Sequence, residues 1–102
     1  MKRLCAVADV PAGEARRFVV DGRPIAVVRI ADDFYAIGDV CSHANVSLSE
    51  GEVFEDTCEI ECYKHGSAFS LKTGEPSTLP ATQPVPVYNL RVEGDDLMVE
   101  IS

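Results

Sequence analysis

The chain has 102 residues with a formal net charge of −8, and its 46% hydrophobic and 25% charged residues are typical of one folded domain spanning residues 1–102. The acidic balance argues against nucleic acid as a partner, and no apolar run is long enough for a membrane span or a signal-peptide core. We therefore expect a cytoplasmic protein in which thiols stay reduced, so that four cysteines indicate metal or redox chemistry rather than disulfides.

Short β-strands separated by turns are the pattern along the whole chain, with no convincing helical period. Asp21 and Gly22 separate the apolar runs EARRFVV and IAVVRI and predict a tight hairpin turn, because both residues accept positive φ. FYAIGDV follows as a further strand, and VPVYNLRVE and LMVEI predict a second hairpin around GDD. In TCEIEC, strand alternation places Cys58, Ile60 and Cys62 on one face. The pattern predicts an all-β fold, a small sandwich or barrel-like arrangement.

Negative charge is concentrated between Asp39 and Glu61. This segment contains seven acidic residues and no lysine or arginine, whereas the rest of the chain has ten acidic and nine basic residues. The segment is either a solvated acidic face or a docking surface for a positively charged protein partner. The composition leaves both interpretations open.

Two cysteine–histidine pairs each follow a predicted strand. Cys41 and His43 follow the run FYAIGDV. Cys62 is the last residue of TCEIEC, and His65 follows it. If both strands end at the same side of a β-scaffold, two thiolates and both histidines of the chain can meet. That ligand set suits either a tetrahedral Cys₂His₂ zinc site or a Rieske [2Fe–2S] centre. Two further cysteines have no second ligand at a suitable spacing and are expected to face the core as small hydrophobes: Cys58 and, in an N-terminal strand, Cys5.

The spacing of these pairs resembles the two cluster-binding loops of Rieske proteins. Cys41-x-His43 and Cys62-x-x-His65-Gly66 stand 18 residues apart, and the H-G-x-x-F, T-G and P-A landmarks and a closing hairpin extend the similarity over nearly the whole chain. The resemblance implies a Rieske-type fold of small antiparallel sheets with a cluster-binding subdomain of two loops at one end. It also implies that the two cysteines bind one iron, which stays ferric, and that the two histidines bind the redox-active iron.

Within the Rieske family the sequence resembles one class. Respiratory members carry an extra cysteine in each loop, where this chain has Val46 and Lys64, and large oxygenase subunits add a catalytic iron domain. The chain is most similar to the small ferredoxin that carries one electron from a flavin reductase to a terminal oxygenase. This implies a non-catalytic monomer that binds both partners transiently under charge steering and binds neither nucleic acid nor membrane. The alternatives are the small subunit of an assimilatory nitrite reductase or other bacterial redox complex, and a zinc-binding interaction module.

Several residues near the ligands acquire expected roles from the same resemblance. Gly66 would let backbone amides approach the cluster sulfurs, and Ser67 either bonds a bridging sulfide or is an exposed loop serine. Phe69 replaces a tyrosine whose hydroxyl bonds a cysteine sulfur in high-potential members, which argues for a lower potential. Pro80 and Ala81 match a proline-bearing loop that covers the cluster in relatives.

Overall fold

The computed structural model describes residues 2–41, 46–64, 66–77 and 83–100. These residues form three antiparallel sheets, with strand orders β1-β10-β9, β2-β3-β4-β8 and β5-β6-β7. The strands are β1 Lys2–Ala6, β2 Ala15–Val20, β3 Arg23–Ile30, β4 Asp33–Gly38, β5 Val53–Phe54, β6 Glu59–Glu61, β7 Ala68–Ser70, β8 Val87–Tyr88, β9 Leu90–Glu93 and β10 Asp96–Val99. Helical structure in the described ranges is limited to the short 3₁₀ helices Val7–Asp9 and Leu48–Glu50. The predicted all-β class is therefore confirmed.

The four-stranded sheet lies between two apolar cores. The first core contains Cys5, Val10, Ile25, Val27, Ala36, Leu97 and Val99. The second core contains Ala26, Val28, Ile37, Cys41, Leu48, Ile60, Cys62, Phe69, Leu71 and Val85. Successive residues of β3 enter alternate cores because strand side chains point to opposite faces. The run IAVV is continuous because β3 is buried on both faces.

The two predicted hairpins are present, with one change. Asp21 and Gly22 have φ of 51° and 76°, as a tight primed turn requires. The second hairpin pairs β9 with β10. The predicted strand VPVYNLRVE is divided at Asn89, because β8 belongs to the four-stranded sheet and β9 to the sheet with β1. The chain therefore passes from one sheet to the next within what looked like one strand.

Cys58 does not belong to the strand predicted for it. The strand is shorter, Glu59–Glu61, and Cys58 lies in the preceding turn with φ of 57°. Its side chain is partly buried against the second core. The hydrogen bond with the Cys58 side chain, followed by burial, raises the pKa of Tyr35. Local alternation missed this turn because a non-glycine residue rarely adopts positive φ.

Helices of the length and apolar character needed to cross a membrane are absent from the residues that the structure describes.

Cys5 allows a test of the first core. It is only 3% exposed, and burial, followed by the charge of Asp9, raises the pKa of its thiol from 9.0 to about 11. Between these values the unfolded chain loses the thiol proton while the folded chain keeps it, so the free energy of unfolding should fall as the pH rises. Cys5→Val should flatten this dependence. Denaturant titrations at pH values below 9 and between 9 and about 11 would measure the free energy of unfolding. An equal fall of this free energy with pH in both proteins would contradict the expectation.

Candidate metal centre

Cys41 and Cys62, which follow strands of different sheets, are both buried in the second core. Cys41 follows β4 and is 3% exposed, and Cys62 follows β6 and is fully buried. All four cysteines of the chain are free thiols, so no disulfide uses either of them. His43 and His65 lie outside the described residues. The structure therefore brings the predicted cysteines into one core, and the histidine half of the ligand set stays a prediction.

Segment 41–46 carries the first predicted ligand pair and is called the first ligand segment. Backbone hydrogen bonds close its base. The Cys41 N–H donates to the carbonyl oxygen of Val46 at 3.0 Å, and the Leu48 N–H donates to that of Asp39 at 2.6 Å. The Leu48 side chain is fully buried in the second core. The two ends of segment 41–46 are therefore held together beside the core.

Segment 62–67 carries the second predicted ligand pair, is called the second ligand segment, and is closed in a similar way. The Cys62 N–H donates to the Ser67 carbonyl at 2.7 Å, and the Gly66 N–H donates to the Cys62 carbonyl at 2.8 Å. Gly66 has φ of 76°, in the left-handed region where glycine is favoured. Ser67 is fully buried, so the alternative of an exposed loop serine is wrong, and its bond to a sulfide stays a prediction. Phe69 is fully buried in β7.

A third segment, residues 74–85, is closed beside the second core, which contains Val85. The Val85 N–H donates to the Gly74 carbonyl at 2.8 Å, and a Cβ on Gly74 would lie 2.1 Å from the Val85 carbonyl oxygen. The backbone therefore closes this segment where only glycine fits. Pro80 and Ala81, predicted to cover the cluster, lie within it but outside the described residues.

Gly51, which the sequence analysis did not single out, joins the first two segments. A Cβ on Gly51 would lie 1.6 Å from the carbonyl oxygen of Glu61, the residue before Cys62. The Glu61 N–H in turn donates to the Glu52 carbonyl at 2.9 Å. The φ of Gly51, −83°, suits any residue, so no local signal marks this glycine as necessary. The close backbone approach is a tertiary requirement.

Gly51→Ala should therefore separate the two segments. Overlap with a backbone carbonyl cannot be relieved by a side-chain rotation, and we expect a loss of about 3 kcal/mol, the upper part of the range for overpacking. Gly22→Ala is the matched control, because its Cβ would meet nothing within 4 Å and only the positive φ would cost about 1 kcal/mol. Thermal unfolding and iron content would be measured for both. Equal iron retention in the two variants would contradict this role for Gly51.

Six of the seven acidic residues of the segment Asp39–Glu61 have no basic partner among the described residues. The exception is Asp39, which pairs with Arg17. The other ion pairs use acidic residues elsewhere in the chain: Glu14, Asp21, Asp32, Glu93 and Asp96. Glu52, Glu55, Asp56 and Glu59 line one open groove of about 530 Å³. Among the described residues, the segment therefore carries six negative charges that no ion pair neutralises.

Two buried thiols fit the cysteine half of either metal site considered above. The described residues contain no group of three or more histidine, cysteine or acidic side chains that could hold a metal ion. The chemistry of the cysteine pair alone does not separate zinc from an iron–sulfur cluster, since thiolates bind both.

Comparison with known proteins resolves this. The Rieske [2Fe-2S] domain family matches residues 1–89. The 3-phenylpropionate/cinnamic acid dioxygenase ferredoxin subunit of Escherichia coli (strain K12) is 48% identical over 98 residues, which cover 95% of this chain and 90% of that protein. The chain belongs to the Rieske [2Fe–2S] family, and its cofactor is a Rieske-type [2Fe–2S] cluster rather than zinc.

Solved structures agree with this placement. The ferredoxin of carbazole 1,9a-dioxygenase from Nocardioides aromaticivorans IC177 superposes with a TM-score of 0.92 at 37% identity, over 95% of this chain and 93% of that one. A chain in the complex of reduced oxygenase and oxidised ferredoxin in carbazole 1,9a-dioxygenase superposes with a TM-score of 0.86 at 41% identity, over 96% and 99%. The predicted Rieske-type fold is confirmed, and the chain is an electron carrier rather than an enzyme.

Proposed function

We propose that this chain is the ferredoxin component of a multicomponent oxygenase, taking one electron from a flavin-dependent reductase and delivering it to the terminal oxygenase. The near-full-length similarity to dioxygenase ferredoxins carries this proposal, since one such structure is a complex of ferredoxin and oxygenase. The protein would act as a cytoplasmic monomer formed by one domain over residues 1–102.

The proposed ligands are the four residues that the sequence pattern selects. Cys41 and Cys62 would bind one iron, and His43 and His65 the other. The bound cluster supplies one-electron redox chemistry, and neutral imidazoles make one iron easier to reduce than in an all-cysteine site. The chain's own contribution is to bury both thiols and to hold the ends of their segments by backbone hydrogen bonds.

Two features support a reduction potential near the low end of the Rieske range of about −150 to +300 mV. The buried side chain of Phe69 has no hydroxyl group to donate to a cysteine sulfur. All four cysteines are free thiols, so the loops carry no disulfide. Fewer donors to the sulfurs leave the reduced, more negative state less stabilised.

Two exposed apolar side chains, each next to one of the two cysteines, suit a short-lived complex. Val40, which precedes Cys41, is 43% exposed, and Tyr63, which follows Cys62, is 55% exposed. Electron carriers bind their partners through small interfaces that charge helps to orient. We propose that these side chains form the contact and that the acidic segment guides the approach of a basic partner.

Ligand substitutions test the assignment. The parent protein should contain about two irons and two sulfides per chain, whereas Cys62→Ala and His65→Ala should lose the cluster and unfold at lower temperature, because binding energy is also folding energy. Cys58→Ala is the matched control, since this thiol lies in the turn before β6 and is not a proposed ligand. Iron analysis and visible spectra would be measured. Retention of the cluster by Cys62→Ala, or its loss from Cys58→Ala, would overturn the ligand set.

The proposed role is tested by following electrons through the protein. Cluster reduction would be recorded by stopped-flow absorbance with a flavin-dependent oxygenase reductase, and product formation with the terminal oxygenase. We expect turnover to require this ferredoxin. Support of nitrite reduction with a nitrite reductase large subunit, without support of oxygenase turnover, would favour the alternative subunit role.

Charge steering gives a separate prediction. Replacing Glu50, Glu52 and Glu55 by glutamine should slow reduction or oxidation by partners about tenfold at low salt, because these carboxylates have no basic partner in the described structure. Added salt should reduce the difference, since the Debye length shortens to about 8 Å at physiological ionic strength.

The control for this experiment removes the same amount of charge elsewhere. It neutralises three exposed acidic residues that form no ion pair in the described structure: Asp33, Asp95 and Glu100. Asp96 is unsuitable because it pairs with Arg3 at 3.0 Å. Equal rates for the two triple variants at low salt would show that net charge, and not the acidic segment, governs the encounter.

A further inference from the structure

Asp39 is the one buried charged residue in the described parts of the chain, with 1% of its surface exposed. It directly follows β4 and lies two residues before Cys41. A buried carboxylate is costly unless it is paired and hydrogen-bonded. The position therefore requires specific partners.

The Asp39 carboxylate has partners on the far side of the first ligand segment. Its Oδ2 accepts a hydrogen bond from Ser47 Oγ at 2.5 Å, and its Oδ1 accepts one from the Ser49 N–H at 3.0 Å. The hydroxyl groups of Ser47 and Ser49 lie 2.7 Å apart. The side chain at the entrance to segment 41–46 thus binds residues that follow its exit, in addition to the backbone bonds described above.

Arg17 supplies the positive charge. Its Nε lies 3.0 Å from Asp39 Oδ2, and its side chain is 52% exposed at the rim of an open groove of about 440 Å³. Arg17 belongs to β2, the strand that pairs with β3 in the middle sheet. The ion pair therefore connects the first ligand segment to a strand that carries no proposed ligand.

We propose that Asp39 is a positioning residue of the cluster site: its carboxylate joins both ends of segment 41–46, and Arg17 fixes that carboxylate to the middle sheet. The inference rests on the proposed assignment of Cys41 and His43 as ligands. Two effects follow from it. Loss of the carboxylate loosens the segment, and the paired charges bias the reduction potential in opposite directions, because a negative charge disfavours the more negative reduced state.

Five variants separate these effects from general destabilisation, one of them Arg17→Lys, which keeps the counter-charge. Asp39→Asn keeps the shape and removes the charge, Ser47→Ala removes one hydrogen bond from an uncharged donor, and Arg17→Gln removes the counter-charge. Leu97→Ala is the control, because Leu97 is fully buried in the first core and takes no part in the hydrogen bonds that close the two ligand segments. Release of iron to a chelator, measured well below each unfolding midpoint, and the reduction potential would be recorded for the loaded proteins.

We expect Asp39→Asn to release iron about tenfold faster or more, the usual effect of removing a partner that orients a ligand. Ser47→Ala should also accelerate release but leave the potential near that of the parent. Asp39→Asn should raise the potential and Arg17→Gln lower it, and Arg17→Lys should restore it. Leu97→Ala should lower the unfolding temperature without either change.

Two results would overturn the proposal. One is iron release from Asp39→Asn and Ser47→Ala no faster than from Leu97→Ala, and the other is potentials that do not move in opposite directions. If Asp39→Asn does not fold, Ser47→Ala and Arg17→Gln decide the matter by the same measurements. These readouts need no oxygenase, so failure of the proposed electron acceptor would not affect them. An error in the ligand set would appear instead in the cluster content of the Cys62→Ala and His65→Ala variants.

Discussion

Burial of Cys41 and Cys62 in the same apolar core is the constraint on which the site depends. The two residues follow strands of different sheets, so they meet only if those sheets pack together. A bound cluster would join the two sheets covalently through iron, and its binding energy would add to the free energy of folding. With these two cysteines as ligands, the second core would both support the cofactor and be stabilised by it.

The middle sheet separates this core from the rest of the protein. Ile25 and Val27 face the first core, whereas Ala26 and Val28 face the second. A substitution in the first core can change stability without contacting the ligand segments. Asp39 follows β4, where the middle sheet meets the first ligand segment, and its carboxylate is therefore placed to link that sheet to that segment. Arg17 lies on β2 of the same sheet and is a suitable anchor for this carboxylate.

Local patterns in the sequence were sufficient for the two hairpins, and they predicted the cysteine half of the candidate site. Asp21 and Gly22 indicate their turn because the required φ values are a property of those two residues. The spacing of Cys41 to His43 and of Cys62 to His65 predicts a metal site, since ligand chemistry is local to each pair, and this ligand set stays a prediction. Cys58 marks the limit of this approach, because a left-handed turn at a cysteine has no sequence signal. Asn89 marks another, because the pattern does not state which sheet a strand joins.

The sequence alone thus determined the all-β class and the hairpins, because each depends on neighbouring residues and on backbone preferences, and it predicted which cysteines bind the cluster. Only the tertiary structure decided which segments touch. Gly51 is needed because the backbone at Glu61 leaves no room for a Cβ, although its own φ would suit any residue. Asp39 looked like one more member of an acidic run, and its burial against Ser47, Ser49 and Arg17 sets it apart. Contacts between residues distant in the chain create these roles, and no local pattern records such contacts.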